Sequence, residues 1–223
     1  MSIQSNIQSI RQHIPAHVQL VCVSKFHPNE SIIEAYEAGE RIFGESKVQE
    51  LCEKYDSLPK DIVWHFIGHL QTNKIKYLVP FVSLIHGVDS YKLLQEINKQ
   101  AAKAGKVINC LLQVHIAQED TKFGFSADEL REVLSSGDWK NMENIRLCGL
   151  MGMATFTDNQ NQVRAEFRSL KSLFDEVKAD YFASEESFCE ISMGMSDDHL
   201  LAIEEGSTMV RVGSSIFGHR NYL

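Results

Sequence analysis

Very little in this sequence would take it out of the class of globular chains. No apolar run approaches the roughly 20 residues that a membrane-spanning helix needs. Basic residues are outnumbered, 22 against 30 acidic, and the net charge is −8 with no basic cluster. Nucleic acid and anionic membrane surfaces are therefore not expected as partners. The start, Met1-Ser2-Ile3-Gln4-Ser5-Asn6, has neither the basic nor the apolar region of a signal peptide, so a cytoplasmic location is expected. The five cysteines, Cys22, Cys52, Cys110, Cys148 and Cys189, are odd in number and far apart. They read as reduced thiols, not as a disulfide frame or a zinc site. No G-x-G-x-x-G follows the first strand, which removes the main support for an open doubly wound sheet.

What is there is a regular beat. Ile3, Ile7, Ile10 and Ile14 recur at helical spacing and predict an amphipathic first helix with one apolar stripe. Residues 19–25, QLVCVSK, read as a strand buried on both faces that runs out at Lys25. Phe26-His27-Pro28 closes it, and Pro28 opens a helix where its missing N–H costs little. Further strands are expected over 41–45, 62–68, 82–88, 107–116, 146–151, 189–193 and 208–212. Helices fall between them, one starting at the capping box Ser126-Ala127-Asp128-Glu129 and a short one capped by Ser196. Eight such units predict an α/β fold: a single closed (β/α)8 TIM-type barrel over 1–223, with an extra N-terminal helix. Only five residues follow Gly218, so the eighth helix is expected to be residual, its gap covered by the isoleucine-striped helix.

Chemistry in such barrels gathers at the carboxyl ends of the strands. Those ends carry Lys25, Gly44-Glu45, His65, Gly68-His69, Asp89, His115, Met151-Gly152-Met153, Ser192-Met193-Gly194, Arg211 and Gly213-Ser214. A lysine amine walled by apolar groups loses proton affinity and becomes a nucleophile, although Lys25 taken alone reads first as a solvated strand end. The loops after strands seven and eight combine glycine, hydroxyls and a helix start, the recurrent phosphate site of these barrels. Arg211, two residues before Gly213, faces the same side deeper in the mouth, where a fixed cation suits a ring nitrogen or a carboxylate. A lysine, a phosphate cradle and a cation between them outline a pyridoxal 5′-phosphate site.

Specific motifs run through the whole chain. They are Val23-Ser24-Lys25, Phe43-Gly44-Glu45 with Gln49-Glu50, Trp64-His65-Phe66-Ile67-Gly68-His69-Leu70-Gln71-Thr72-Asn73-Lys74, Val88-Asp89-Ser90, Lys122-Phe123-Gly124 and Gly149-Leu150-Met151-Gly152-Met153. Ser192-Met193-Gly194-Met195-Ser196-Asp197-Asp198 and Gly206-Ser207-Thr208-Met209-Val210-Arg211-Val212-Gly213 complete the set. In these the sequence closely resembles the pyridoxal phosphate homeostasis proteins, also called proline synthetase co-transcribed proteins. The resemblance implies a barrel like the N-terminal domain of alanine racemase, with pyridoxal phosphate held as a Schiff base on Lys25. It implies a cofactor-binding set of Lys25, Ser192, Met193, Arg211, Gly213 and Ser214, in which Ser192, Gly213 and Ser214 hold the phosphate and Arg211 faces the pyridine nitrogen. Ser46 stands where the family commonly has asparagine, and His115 where the fifth strand often ends in asparagine. His65 and His69 are read as structural.

By the same resemblance the expected function is intracellular homeostasis and delivery of the cofactor, without robust catalysis. Cofactor-dependent apo-enzymes are the expected partners, and the chain is expected to be a monomer. The alternative is an amino-acid racemase-like enzyme. Racemisation needs an acid/base group on each face of the substrate. Lys25 could serve one face, and in racemases a second domain, which this sequence is not expected to include, serves the other. A barrel acting on sugar phosphates would use the same loops without needing Lys25.

Overall fold

The computed structural model describes residues 2–118 and 123–218. Among these, eight parallel strands pair in sequence order and close into a barrel. They are β1 (Gln19–Val23), β2 (Ile42–Glu45), β3 (Val63–Phe66), β4 (Leu84–Val88), β5 (Ile108–Gln113), β6 (Ile145–Met151), β7 (Glu190–Ser192) and β8 (Met209–Val212). Around them lie α1 (Ile3–Arg11), α2 (Asn29–Glu37), α3 (Val48–Ser57), α4 (Ile75–Leu78), α5 (Tyr91–Lys103), α6 (Ala127–Ser136), α7 (Gln160–Tyr181), α8 (His199–Glu204) and α9 (Ser214–Phe217). No helix among the described residues is long and apolar enough to cross a membrane.

Alternation along each strand sorts side chains into two cores. Val21, Leu84, Leu111, Cys148, Met151 and Met209 fill the barrel interior. Leu20, Cys22, Phe43, Trp64, Val210 and Val212 point outward into the larger core beneath the helices. Burying a side chain of this size contributes about 1.5–3 kcal/mol, which is why both faces of the strands are apolar. The long helix α7 presents Val163, Phe167, Leu170, Phe174 and Val177 to that outer core, all buried.

Closure joins the two ends of the chain. In β1–β8 the register sets Val21 opposite Arg211 and Cys22 opposite Val212. The eighth helix is the residual α9, and α1 covers the gap. Ile7, Ile10 and Ile14 are buried, and the Asn6 side chain donates to the Ile216 carbonyl at 2.8 Å.

Several elements are shorter than their sequence patterns. The strand expected over 62–68 ends at Phe66, because Gly68 to Thr72 turns across the mouth and buries Leu70 before the one-turn α4 begins. The short helix expected to be capped by Ser196 begins instead at His199, with Asp198 at its N-cap. Ser126 and Glu129 form the expected capping box, and Gly137 ends α6 in the left-handed conformation.

Candidate functional site

Arg211 is the charged centre of the barrel interior. It projects inward from β8 and is 3% exposed. Nη1 donates to the Ser192 carbonyl at 2.8 Å and to the Ser192 hydroxyl, and Nη2 donates to the Gly152 carbonyl at 3.1 Å. Among the described residues no carboxylate lies within ion-pair distance, and burial lowers its pKa to about 10, so the guanidinium stays charged at neutral pH. Three of its five N–H groups are engaged by the described residues, which leaves two donors for a ligand. A buried cation seated only by neutral oxygens is suited to an electron-rich or anionic ligand atom.

The hydrogen bonds continue across the interior. An arginine can only donate, so Ser192 Oγ accepts from it, and the same hydroxyl is hydrogen-bonded to His86 Nδ1 at 2.9 Å. His86 Nε2 is in turn hydrogen-bonded to His65 Nδ1 at 3.0 Å. Burial pushes His65 down to about 4 and holds His86 well below the ordinary imidazole range, so both rings are neutral near pH 7. Arg211, Ser192, His86 and His65 form a hydrogen-bonded floor across β8, β7, β4 and β3.

Above this floor the loops after β7 and β8 are tied together. The Gly213 N–H donates to Ser196 Oγ at 3.1 Å. Gly213 packs tightly on the first strand, where a Cβ would sit 3.1 Å from the Val23 carbonyl oxygen. Gly194 has φ +93°, and a Cβ there would lie 2.6 Å from that of Ala202, so the loop needs glycine. Asp198 Oδ1 accepts from the Met195 N–H at 2.6 Å, and Ser214 is exposed at the start of α9. Ser196, having accepted from Gly213, keeps its own proton to give to an anion. Ser192 is fully buried and seats Arg211 through both its carbonyl and its hydroxyl, while Ser196, further along the same loop, faces Gly213. Met193 is buried behind the same loop.

Lys25 follows β1 in a turn at the mouth, half-buried, two residues after Val23, which packs on Gly213 across the β1–β8 seam. Outside the barrel wall this turn rests on a charged cluster. Lys54, from α3, donates to the Ser24 carbonyl at 2.8 Å, to Glu45 Oε1 at 2.8 Å and to Glu50 Oε1 at 2.7 Å. Ser24 Oγ donates to Glu45 Oε1 at 2.6 Å. Burial raises the Glu45 carboxyl to about 7, against the opposing pull of Lys54 and Ser24. Its second oxygen is buried with no hydrogen-bond partner among the described residues.

The remaining strand-end residues form the rim. His69 Nδ1 lies 2.8 Å from Asp89 Oδ2, and its ring packs on Phe123. His115 lines a recess with Gln113, Met153 and Met195. Lys122 lies outside the described residues. Sequence reasoning missed His86, Lys54 and Ser196 as parts of the site. A histidine within a wholly apolar strand, and a lysine three residues after Leu51 on a buried stripe, were the available signals.

A parallel barrel with a buried cation and an anion cradle at one mouth defines a phosphate-binding (β/α)8 domain. The chain belongs to the alanine racemase N-terminal domain family, whose model matches residues 1–221, and within it to the pyridoxal phosphate homeostasis proteins. It is 41% identical to the pyridoxal phosphate homeostasis protein of Aquifex aeolicus over 205 residues, covering 92% of this chain and 88% of that one. Among solved structures, PipY of Synechococcus elongatus without PLP superposes with a TM-score of 0.91 at 35% identity, covering 97% of this chain and all of that one. The same protein with PLP bound superposes at 0.87 and 34% identity, with the same coverage.

The charge on Glu45 gives a test of which force dominates. A carboxyl whose folded pKa is raised contributes stability that is fully present below its unfolded value, near 4.5, and is lost as pH rises through about 7. Wild type should therefore lose stability relative to Glu45→Gln between about pH 4.5 and 7, in urea titrations at each pH. A difference that grows in favour of wild type with rising pH would mean that Lys54 outweighs desolvation.

Proposed function

We propose that this protein binds pyridoxal 5′-phosphate as a Schiff base on Lys25 and serves in cofactor homeostasis and delivery, without robust catalysis of its own. The observation that carries this reading is the seating of Arg211, a buried cation with two free donors and no carboxylate, beside the first-strand lysine turn and the Gly213–Ser196 cradle. The residues fit the cofactor as a donor set. Ser192, Ser196, Ser214 and the backbone at Gly213 would hold the phosphate, with Met193 shaping the loop, and Arg211 would meet the ring nitrogen. When bound, the cofactor supplies an aldehyde for the lysine and an electron sink whose strength depends on the ring nitrogen. An arginine there keeps its own proton and leaves that nitrogen unprotonated, which weakens the sink. Relatives that align over most of their own length carry the homeostasis name. Free cysteines, with no disulfide among the described residues, accord with a reducing cytoplasm. We take the protein to act as a monomer that hands its cofactor to apo-enzymes.

Lys25→Ala should abolish the near-visible absorbance that appears on adding pyridoxal phosphate, and borohydride-treated wild type should carry the added mass on Lys25. Label found only on another lysine would refute the assignment. For the phosphate, Ser196→Ala removes one hydrogen bond to a charged group, about 1.5–3 kcal/mol. Affinity for pyridoxal phosphate should fall about tenfold or more while affinity for pyridoxal barely changes, and equal losses for both ligands would exclude the cradle. The racemase alternative is tested with alanine and serine. Turnover at roughly 1 s⁻¹ or faster would replace the carrier reading with an enzyme.

A further inference from the structure

The turn that carries Lys25 is strained and held from outside the barrel. Phe26 has φ +66°, and no other non-glycine residue among those described has a positive φ. Such a conformation is unfavourable for a residue with a Cβ and persists only where neighbours impose it. Here the neighbours are Lys54, Glu45 and Glu50. Both residues flanking Lys25 are gripped: Ser24 by Glu45 Oε1 at its hydroxyl and Lys54 at its carbonyl, and Phe26 by Glu50 Oε1, which accepts its N–H at 2.6 Å. The Ser24 N–H is also taken, by the Gly44 carbonyl at 3.1 Å.

Lys54 is the hub of this grip. An ammonium has three protons, and its three acceptors (the Ser24 carbonyl, Glu45 and Glu50) use all of them. The residue is 5% exposed, so water does not compete for those positions. A cation this saturated has no lone pair or proton to spare for a ligand, and it lies on the outer side of the wall from the mouth. Its bonds tie the Ser24 carbonyl to Glu45 and to Glu50, and Glu50 in turn holds the Phe26 N–H on the other side of Lys25.

We propose that Lys54, with Glu50, is a positioning residue for Lys25: the buried cluster holds the Ser24–Phe26 turn in the left-handed shape that presents the Lys25 amine at the mouth. This rests on Lys25 being the attachment site. The cluster then governs capture of an aldehyde, while the Gly213–Ser196 cradle governs capture of a phosphate, and the two can be separated by ligand. Pyridoxal 5′-phosphate needs both, whereas pyridoxine 5′-phosphate, which has an alcohol in place of the aldehyde, needs only the cradle.

The test uses Lys54→Met, which keeps the length and removes the charge, and Glu50→Ala, which removes the acceptor for Phe26 at a more exposed position and so decides the matter if Lys54→Met fails to fold. Affinity for pyridoxal phosphate should fall on the order of ten- to a hundredfold, as for a misplaced reacting group, with pyridoxine phosphate within about twofold of wild type. In the protein without ligand, the rate at which an amine-selective reagent labels Lys25, relative to the exposed Lys99, should change in the same variants. Wild-type behaviour toward both ligands would overturn the proposal, and so would equal loss of both in a folded variant. If Lys25→Ala leaves pyridoxal phosphate binding intact, it is the attachment reading that fails, and altered Lys25 labelling in Lys54→Met and Glu50→Ala still reports whether the cluster sets the turn.

Discussion

The pairing of β1 with β8 is the contact on which everything at the mouth depends. Gln19 to Cys22 lie beside Met209 to Val212, almost the whole chain apart in sequence. Only that closure brings the turn after β1 next to the cradle after β8. A seam of so few backbone hydrogen bonds does not outweigh the chain entropy of joining the ends. The apolar layers on either side do: Val21 and Met209 inside, and Leu20, Cys22, Val210 and Val212 outside. α1 adds its isoleucine stripe over the place where a full eighth helix would otherwise pack. The site is therefore a consequence of core burial, not of any local motif.

Two buried cations sit on either side of the barrel wall, and they are satisfied in opposite ways. Lys54 meets three acceptors, two of them carboxylates, and spends every proton on the fold. Arg211 meets only neutral oxygens and keeps two donors. The difference assigns them different work. A saturated ion pair holds shape, while an unpaired guanidinium at the mouth lowers the cost of bringing in a partner of opposite polarity. Glu45 shows the limit of the first arrangement, since one of its oxygens has no partner and its carboxyl is pushed up to about 7.

The barrel was legible in the sequence because its period is carried by side chains that must be buried: the isoleucines of α1, the apolar strands and the stripe of α7. Lys25, Arg211 and Gly213 were legible because the ends of strands are where this fold exposes polar groups. The rest depended on contacts between distant segments. Ser192 and Ser196 stand in one short stretch, and only the fold shows that Arg211 lies against the first and Gly213 against the second. His86 and Lys54 drew no attention because each sits in a segment whose pattern is otherwise that of core. A charged or polar residue on such a stripe is costly unless paired, so each implied a partner that the linear sequence does not name.

The floor of the mouth also bears on what kind of chemistry the site can support. Burial keeps both imidazoles in this row neutral, pushing His65 down to about 4 and holding His86 well below the ordinary imidazole range. Taking up a proton at His86 would place a second positive charge close to Arg211. Giving one up from Ser192 would leave an alkoxide in a buried site. Near neutral pH Arg211 therefore keeps its proton and both imidazoles stay neutral, so the floor orients a ligand without changing its own charge. A floor whose charges are fixed by burial, with a guanidinium that keeps its proton, suits the holding of a ligand more than acid–base work on it, in keeping with a family named for pyridoxal phosphate homeostasis.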